Sequence, residues 1–251
     1  MSSPDEAARA LAALDELTRR LRVECPWDRE QDERSIVPHT VEEAYELADA
    51  AASGDDAKLL DELGDVLFQV HFLSLLLEER DAGDMRDVAA QMTEKLIRRH
   101  PHVFGETEVE GAGEVLSNWD RIKREKEGRE GLFADVPEAL PALLHARKLQ
   151  RRAVNRASEG ADLGVVSGAD AAATIAAIGP LLEELGELAA AGADGSPAAE
   201  PEARDAVDRA LGELLFAIVD LSRRLRSDPE LALRSAAARF RDSAEEASGQ
   251  S

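Results

Sequence analysis

Apolar positions recur at helical spacing along nearly the whole chain, and glycines and prolines punctuate the runs. A first helix is expected over residues 4 to about 23, broken at Cys25-Pro26-Trp27-Asp28. An irregular stretch is expected to follow as far as Pro38. A second helix then starts near His39 and carries Val41-Glu42-Glu43-Ala44-Tyr45-Glu46. Ser53-Gly54-Asp55-Asp56 reads as a turn, and a third helix covers residues 57 to about 80. A fourth opens at Asp84, a side chain suited to capping, and ends before Pro101. A polar loop at 105–113 leads to a fifth helix at 114–127. Helix resumes from Ala142, with helices at 169–190 and 203–226 beside Gly/Ala/Pro-rich loops at 160–168 and 191–201. Asp228-Pro229-Glu230 is a cap followed by proline, a helix start. No strand pattern of any length interrupts this, so the fold class is all-α.

The pattern repeats. Leu63-Gly64-Asp65-Val66-Leu67-Phe68 recurs as Leu211-Gly212-Glu213-Leu214-Leu215-Phe216. Upstream of each copy stands Glu-Glu-x-x-Glu: Glu42, Glu43 and Glu46, then Glu183, Glu184 and Glu187. Two matching pairs in one order predict two tandem helical-bundle modules. The expected division is 1–127 for the first module, 128–141 for a connector and 142–251 for the second.

The carboxylates are placed to act together. At about 100° per residue, Glu43 and Glu46 lie about 60° apart on one helix face, and Glu62 and Asp65 repeat that spacing on the next helix. The short turn at 53–56 makes those helices antiparallel neighbours, so the two pairs face each other. Residues 66–77 are apolar on nearly every side, with Leu67, Val70 and Leu77 on one face and Phe68, Phe72 and Leu76 opposite. A helix apolar all round is buried, and Glu62 and Asp65 stand at the entrance to that segment. Carboxylates converging near a core are costly unless a cation compensates them. Oxygen ligands without clustered Cys or His select a hard divalent ion, Mg²⁺ or Mn²⁺. The same spacing also suits a solvated acidic face, and both readings stand at this point.

Composition narrows the partners. With 30 Lys and Arg against 52 Asp and Glu, the formal charge is −22, which argues against nucleic acid and anionic membrane as partners. Aromatic residues make up only 4% while Ala, Leu and Glu abound, which favours helix over a β-sandwich. Cys25 is the single cysteine, so no internal disulfide forms; with no secretory signal pattern at the N-terminus, a cytoplasmic location is expected. Basic groups are few, so their placement matters. Lys58 precedes Glu62 by one turn, Lys95 and Arg99 form an i, i+4 pair with Arg98 beside them, and Trp119 and Lys123 form another. Lys and Arg around a metal cluster suit a polyphosphate, and a tryptophan one turn away suits a base. Ion pairs and core packing are the alternatives for each taken alone.

The segments CPWDREQ at 25–31, VEEAYE at 41–46, DELGDVLFQV at 61–70, KLIRRHPHVF at 95–104 and NWDRIKREK at 118–126 carry a resemblance. The chain resembles the MazG-type nucleoside triphosphate pyrophosphohydrolases of the all-α NTP pyrophosphatase superfamily. The resemblance implies hydrolysis of a nucleoside triphosphate between the α- and β-phosphorus, giving a monophosphate and pyrophosphate, with a house-cleaning role in the nucleotide pool. It implies Mg²⁺ ligation by Glu43, Glu46, Glu62 and Asp65, with Mn²⁺ as a substitute. It implies nucleotide contacts by His39, Lys58, Lys95, Arg99, Trp119 and Lys123, with Arg98 beside them. Glu42 carries no assigned ligand role and is a candidate either for a group supporting the ligands from behind or for the general base. Homodimers are implied as well, matching the apolar surplus of the third helix, which suits packing on a second copy.

The second module departs from the pattern. Glu184 and Glu187 are kept, but Ala210 stands at the position of Glu62 and Glu213 at that of Asp65. Arg239 and Ser243 stand at the positions of Lys95 and Arg99. The expectation is a catalytic first module and a degenerate second one, serving packing and dimerisation. A catalytically inactive helical dimer that binds nucleotide or protein as a regulator is the alternative. The full ligand set in one module favours the enzyme.

Overall fold

The computed structural model describes residues 3–109, 111, 113–115, 118, 119, 121, 122, 131–133, 136–158, 170–191 and 201–249. Regular structure among them is entirely helical. The chain divides into two compact units, Met1–Glu108 and Val109–Ser251. No helix among the described residues is long and apolar enough to cross a membrane.

The first unit holds six helices: α1 (Pro4–Glu24), α2 (Pro26–Glu30), α3 (Glu33–Ser53), α4 (Asp56–Glu78), α5 (Met85–Arg99) and α6 (Pro101–Phe104). Local chemistry sets most of the boundaries. Ser3 and Glu6 form a reciprocal capping box at α1, and Asp84 with Asp87 does the same at α5. Asp55 accepts from the backbone N–H groups of Ala57 and Lys58 and starts α4. Gly54, at φ 72°, closes α3 in the left-handed conformation and turns the chain back. α3 and α4 then pack as an antiparallel pair, with α1 and α5 also against α4.

Two expectations are corrected here. The stretch before Pro38 is helical, not irregular. Asp32 caps α3 through Ser35, and Ile36, only 1% exposed, packs with Phe72 and Leu76 to form the core. That burial outweighs the backbone bond that Pro38 removes inside the helix. The break at Cys25 is itself a short helix, α2, opened by Pro26 at its first turn. In addition, α4 is buried on only part of its circumference. Phe72, Leu75 and Leu76 are covered, whereas Leu60, Leu63, Leu67 and Val70 are exposed, on the face opposite Asp65.

The second unit contains α7 (Ala142–Ser158), α8 (Ala171–Ala191), α9 (Pro201–Arg224) and α10 (Pro229–Gly249). α8 and α9 form its closest pair, and α7 packs on α9 and α10. Ala210, Leu214 and Val219 are its buried residues on α9, and the Gln150 amide donates to the carbonyl of Phe216 at 2.7 Å. Asp228 caps α10 through the N–H groups of Glu230 and Leu231 and is ion-paired with Arg147. The loops expected at 160–168 and 191–201 fall largely outside the described residues, as does much of the expected helix at 114–127.

Candidate functional site

The turn at Gly54 sets the register of α3 against α4. Glu43 lies eleven residues before it and Asp65 eleven after, so the two come opposite one another. Glu43, Glu62 and Asp65 each bring a carboxylate oxygen within 4.8 Å of the other two. Among the described residues this is the one such group of three. It is graded in depth: Asp65 is exposed, Glu43 half-buried, and Glu62 only 6% exposed.

Electrostatics mark the same place. Burial pushes the Glu43 carboxyl above its ordinary range, reinforced by the charges of Asp65, Glu46, Glu62 and Glu42. Burial likewise raises Glu62, with Glu46 and Asp65 adding to the effect and Lys58 opposing it. Glu62 Oε2 is buried and has no hydrogen-bond partner. A buried carboxylate oxygen left without a donor is unfavourable. A cation shared with Glu43 and Asp65 removes that cost, and an all-oxygen set suits a hard divalent one.

Glu46 lies outside this trio. It is exposed on α3, one turn on from Glu43, and acts on Glu43 and Glu62 through its charge. Glu42 is exposed next to Glu43, its carboxylate 3.7 Å from His39 Nδ1. Lys58 lines an open groove on α4 with Asp55, Asp61, Gly64 and Asp65. Lys95, Arg98 and Arg99 are half-buried on α5, which packs against α4. Trp119 is half-buried in the second unit, and Lys123 lies outside the described residues.

Sequence reasoning passed over Gln69. It is one turn beyond Asp65 on the face that carries Glu62, it is 6% exposed, and its amide oxygen has no partner. Its spacing of four from Asp65 and seven from Glu62 was the available signal. Trp27 stands in the sequence reading as part of a chain break and of the CPWDREQ segment, with no role of its own. It is exposed on α2, with its ring 6.0 Å from that of His39.

In the second unit, Glu183, Glu184, Glu187 and Glu213 are all exposed, while Ala210 is 1% exposed. The buried position that Glu62 holds in the first unit is thus filled by a methyl group in the second.

Comparison with known proteins follows from these motifs. The model of the MazG nucleotide pyrophosphohydrolase domain matches residues 31–104. The nucleoside triphosphate pyrophosphohydrolase of Escherichia coli K12 is 37% identical over 225 residues, covering 86% of this chain and 77% of that protein. The nucleoside triphosphate pyrophosphohydrolase/pyrophosphatase MazG of Thermotoga maritima is 37% identical over 221 residues, covering 86% of this chain and 76% of that protein. Among solved structures, a mazG-related protein from Thermotoga maritima aligns with 45% of this chain and 99% of its own, at 24% identity and a TM-score of 0.40.

Proposed function

The chain belongs to the MazG family of nucleoside triphosphate pyrophosphohydrolases, and from that premise we propose that catalysis resides in the first unit, at the carboxylates of α3 and α4. The reaction is hydrolysis of a nucleoside triphosphate to a monophosphate and pyrophosphate. The observation that carries the placement is the convergence of Glu43, Glu62 and Asp65 around a buried, unpartnered oxygen. Glu46 completes the ligand set from one turn away. The donor set fits magnesium, with manganese as a substitute. When bound, the ion orients the phosphate oxygens and offsets the charge that develops on them.

The remaining work falls to the chain's own groups. Lys58 stands beside Glu62 and neutralises phosphate on the groove side. Lys95, Arg98 and Arg99 hold the polyphosphate from α5, and Trp119 and Lys123 keep the nucleotide-contact roles that the family resemblance gives them. Glu42 accepts the proton of the attacking water, and His39, within reach of Glu42, positions it. The second unit is degenerate, because a buried glutamate with no cation to hold is replaced there by Ala210. The enzyme works as a homodimer in the cytoplasm, on free nucleotides and not on nucleic acid or membrane. The exposed row of Leu60, Leu63, Leu67 and Val70 on α4 supports the dimer.

The test is pyrophosphate release from a panel of nucleoside triphosphates with Mg²⁺. Turnover is expected, lost in Glu46→Ala and largely kept in Glu187→Ala. A damaging Glu187→Ala would reverse the assignment of units, and no turnover of any triphosphate would favour the regulator instead.

A further inference from the structure

The segment that presents Trp27 is built more rigidly than five helical residues require. Arg22, on α1, lies 5.7 Å from the Phe72 ring centre, and its guanidinium donates to the backbone carbonyls of Asp28 and Gln31, the latter at 3.0 Å. The Gln31 side chain donates to the Trp27 carbonyl at 2.8 Å. Asp28 is buried, at 6% exposed. The core therefore reaches out through Arg22 and clamps the C-terminal half of α2.

Trp27 gains no burial from that clamp. It keeps 51% of its surface in solvent, unusual for the side chain with the most apolar area to hide. Its ring meets that of His39 in a tilted edge contact, 6.0 Å between centres at 65°. His39 is one turn before Glu43 on α3, so the ring stands on the order of 10 Å from the carboxylates. That is the reach of a nucleotide from its phosphates to its base. A fixed, solvated indole at that reach has the form of a stacking surface. At the matching spacing from the glutamates of the second module stand Pro180, for His39, and Gly168, for Trp27, so the degenerate copy lacks both rings.

We propose that Trp27 is the platform on which the nucleoside triphosphate stacks its base, with His39 buttressing the ring. This deepens the pyrophosphohydrolase reading and rests on it. Stacking on an aromatic tolerates any base, so the platform supplies affinity with little discrimination among bases.

Steady-state kinetics of the full chain with Mg²⁺ test it, using ATP as substrate and inorganic tripolyphosphate, which has no base, as competitor. Trp27→Leu should raise KM for ATP about tenfold with kcat within about twofold, and leave the inhibition constant of tripolyphosphate unmoved. Trp27→Phe should bring KM back to within about threefold of wild type. A rise in the tripolyphosphate constant in step with KM would show a structural role and overturn the proposal. So would an unchanged KM in Trp27→Leu, or a loss that follows dissociation of the dimer in size-exclusion chromatography. Inactivity of the wild type toward every triphosphate would overturn the pyrophosphohydrolase reading and this proposal together, and is seen before any variant is made.

Discussion

Arg22→Met isolates the link between core and α2. The substitution keeps an apolar stem over Phe72 and removes the guanidinium fork. Three losses follow. Two partly buried carbonyls, of Asp28 and Gln31, lose a charged donor, at about 1 kcal/mol each. The ion pair with Glu79, at 2.7 Å and 2.8 Å, contributes about 0–1 kcal/mol, because Glu79 is 42% exposed. The contact with the Phe72 ring adds about 0.5–1 kcal/mol. The sum is about 2.5–4 kcal/mol, or about 5–15 °C in melting temperature for a chain of this size. Circular-dichroism melting of wild type, Arg22→Met and Arg22→Lys checks it. The lysine variant, which keeps charge without the fork, should fall between the other two. Hydrogen exchange at residues 26–31 should accelerate in the methionine variant before the rest of the unit opens. A melting temperature within about 2 °C of wild type would refute the clamp, as would unchanged exchange in α2.

Two further outcomes follow from the site. Burial raises Glu62 above its ordinary 4.5, so without metal the folded state holds a proton that the unfolded chain releases, and stability falls as pH rises through that window. Glu62→Gln, melted in EDTA, should therefore be more stable than wild type at pH 7 to 8, with the gap closing as pH falls toward about 4.5, and added Mg²⁺ should raise the melting point of wild type alone. A variant less stable at every pH would refute it. Gly64 sits in the middle of α4 with no atom within 4 Å of the place a methyl group would take. Gly64→Ala should stabilise the chain by about 0.5–1 kcal/mol in chemical denaturation; a loss of stability would refute it.

Much of this was legible along the chain because it is coded locally. Asp84 announces α5, Asp228 announces α10, and the three-residue spacing of acids on consecutive helices locates Glu43, Glu62 and Asp65. What escaped depends on partners distant in sequence. Pro38 reads as a terminator until Ile36 is seen against Phe72, some thirty-six residues away. α2 is too short to persist alone and exists because Arg22 holds it. Glu46 stands at the same spacing from Glu43 as Asp65 from Glu62, yet only the latter pair joins the trio, which spacing alone does not distinguish. Gln69 looks like one polar interruption in an apolar run until its unpaired oxygen is found under the site.

The 23 residues of α4 carry different loads on different sides. Toward α3 they carry Glu62, Asp65 and Gln69 and then the core at Phe72 and Leu76; on the opposite side runs the bare leucine row. α1, by contrast, buries Thr18 alone. Mutational drift therefore has unequal room within one unit: α1 is held mainly at Thr18 and at the Arg22 fork and is otherwise open to change, while α4 is constrained along the whole face it turns toward α3.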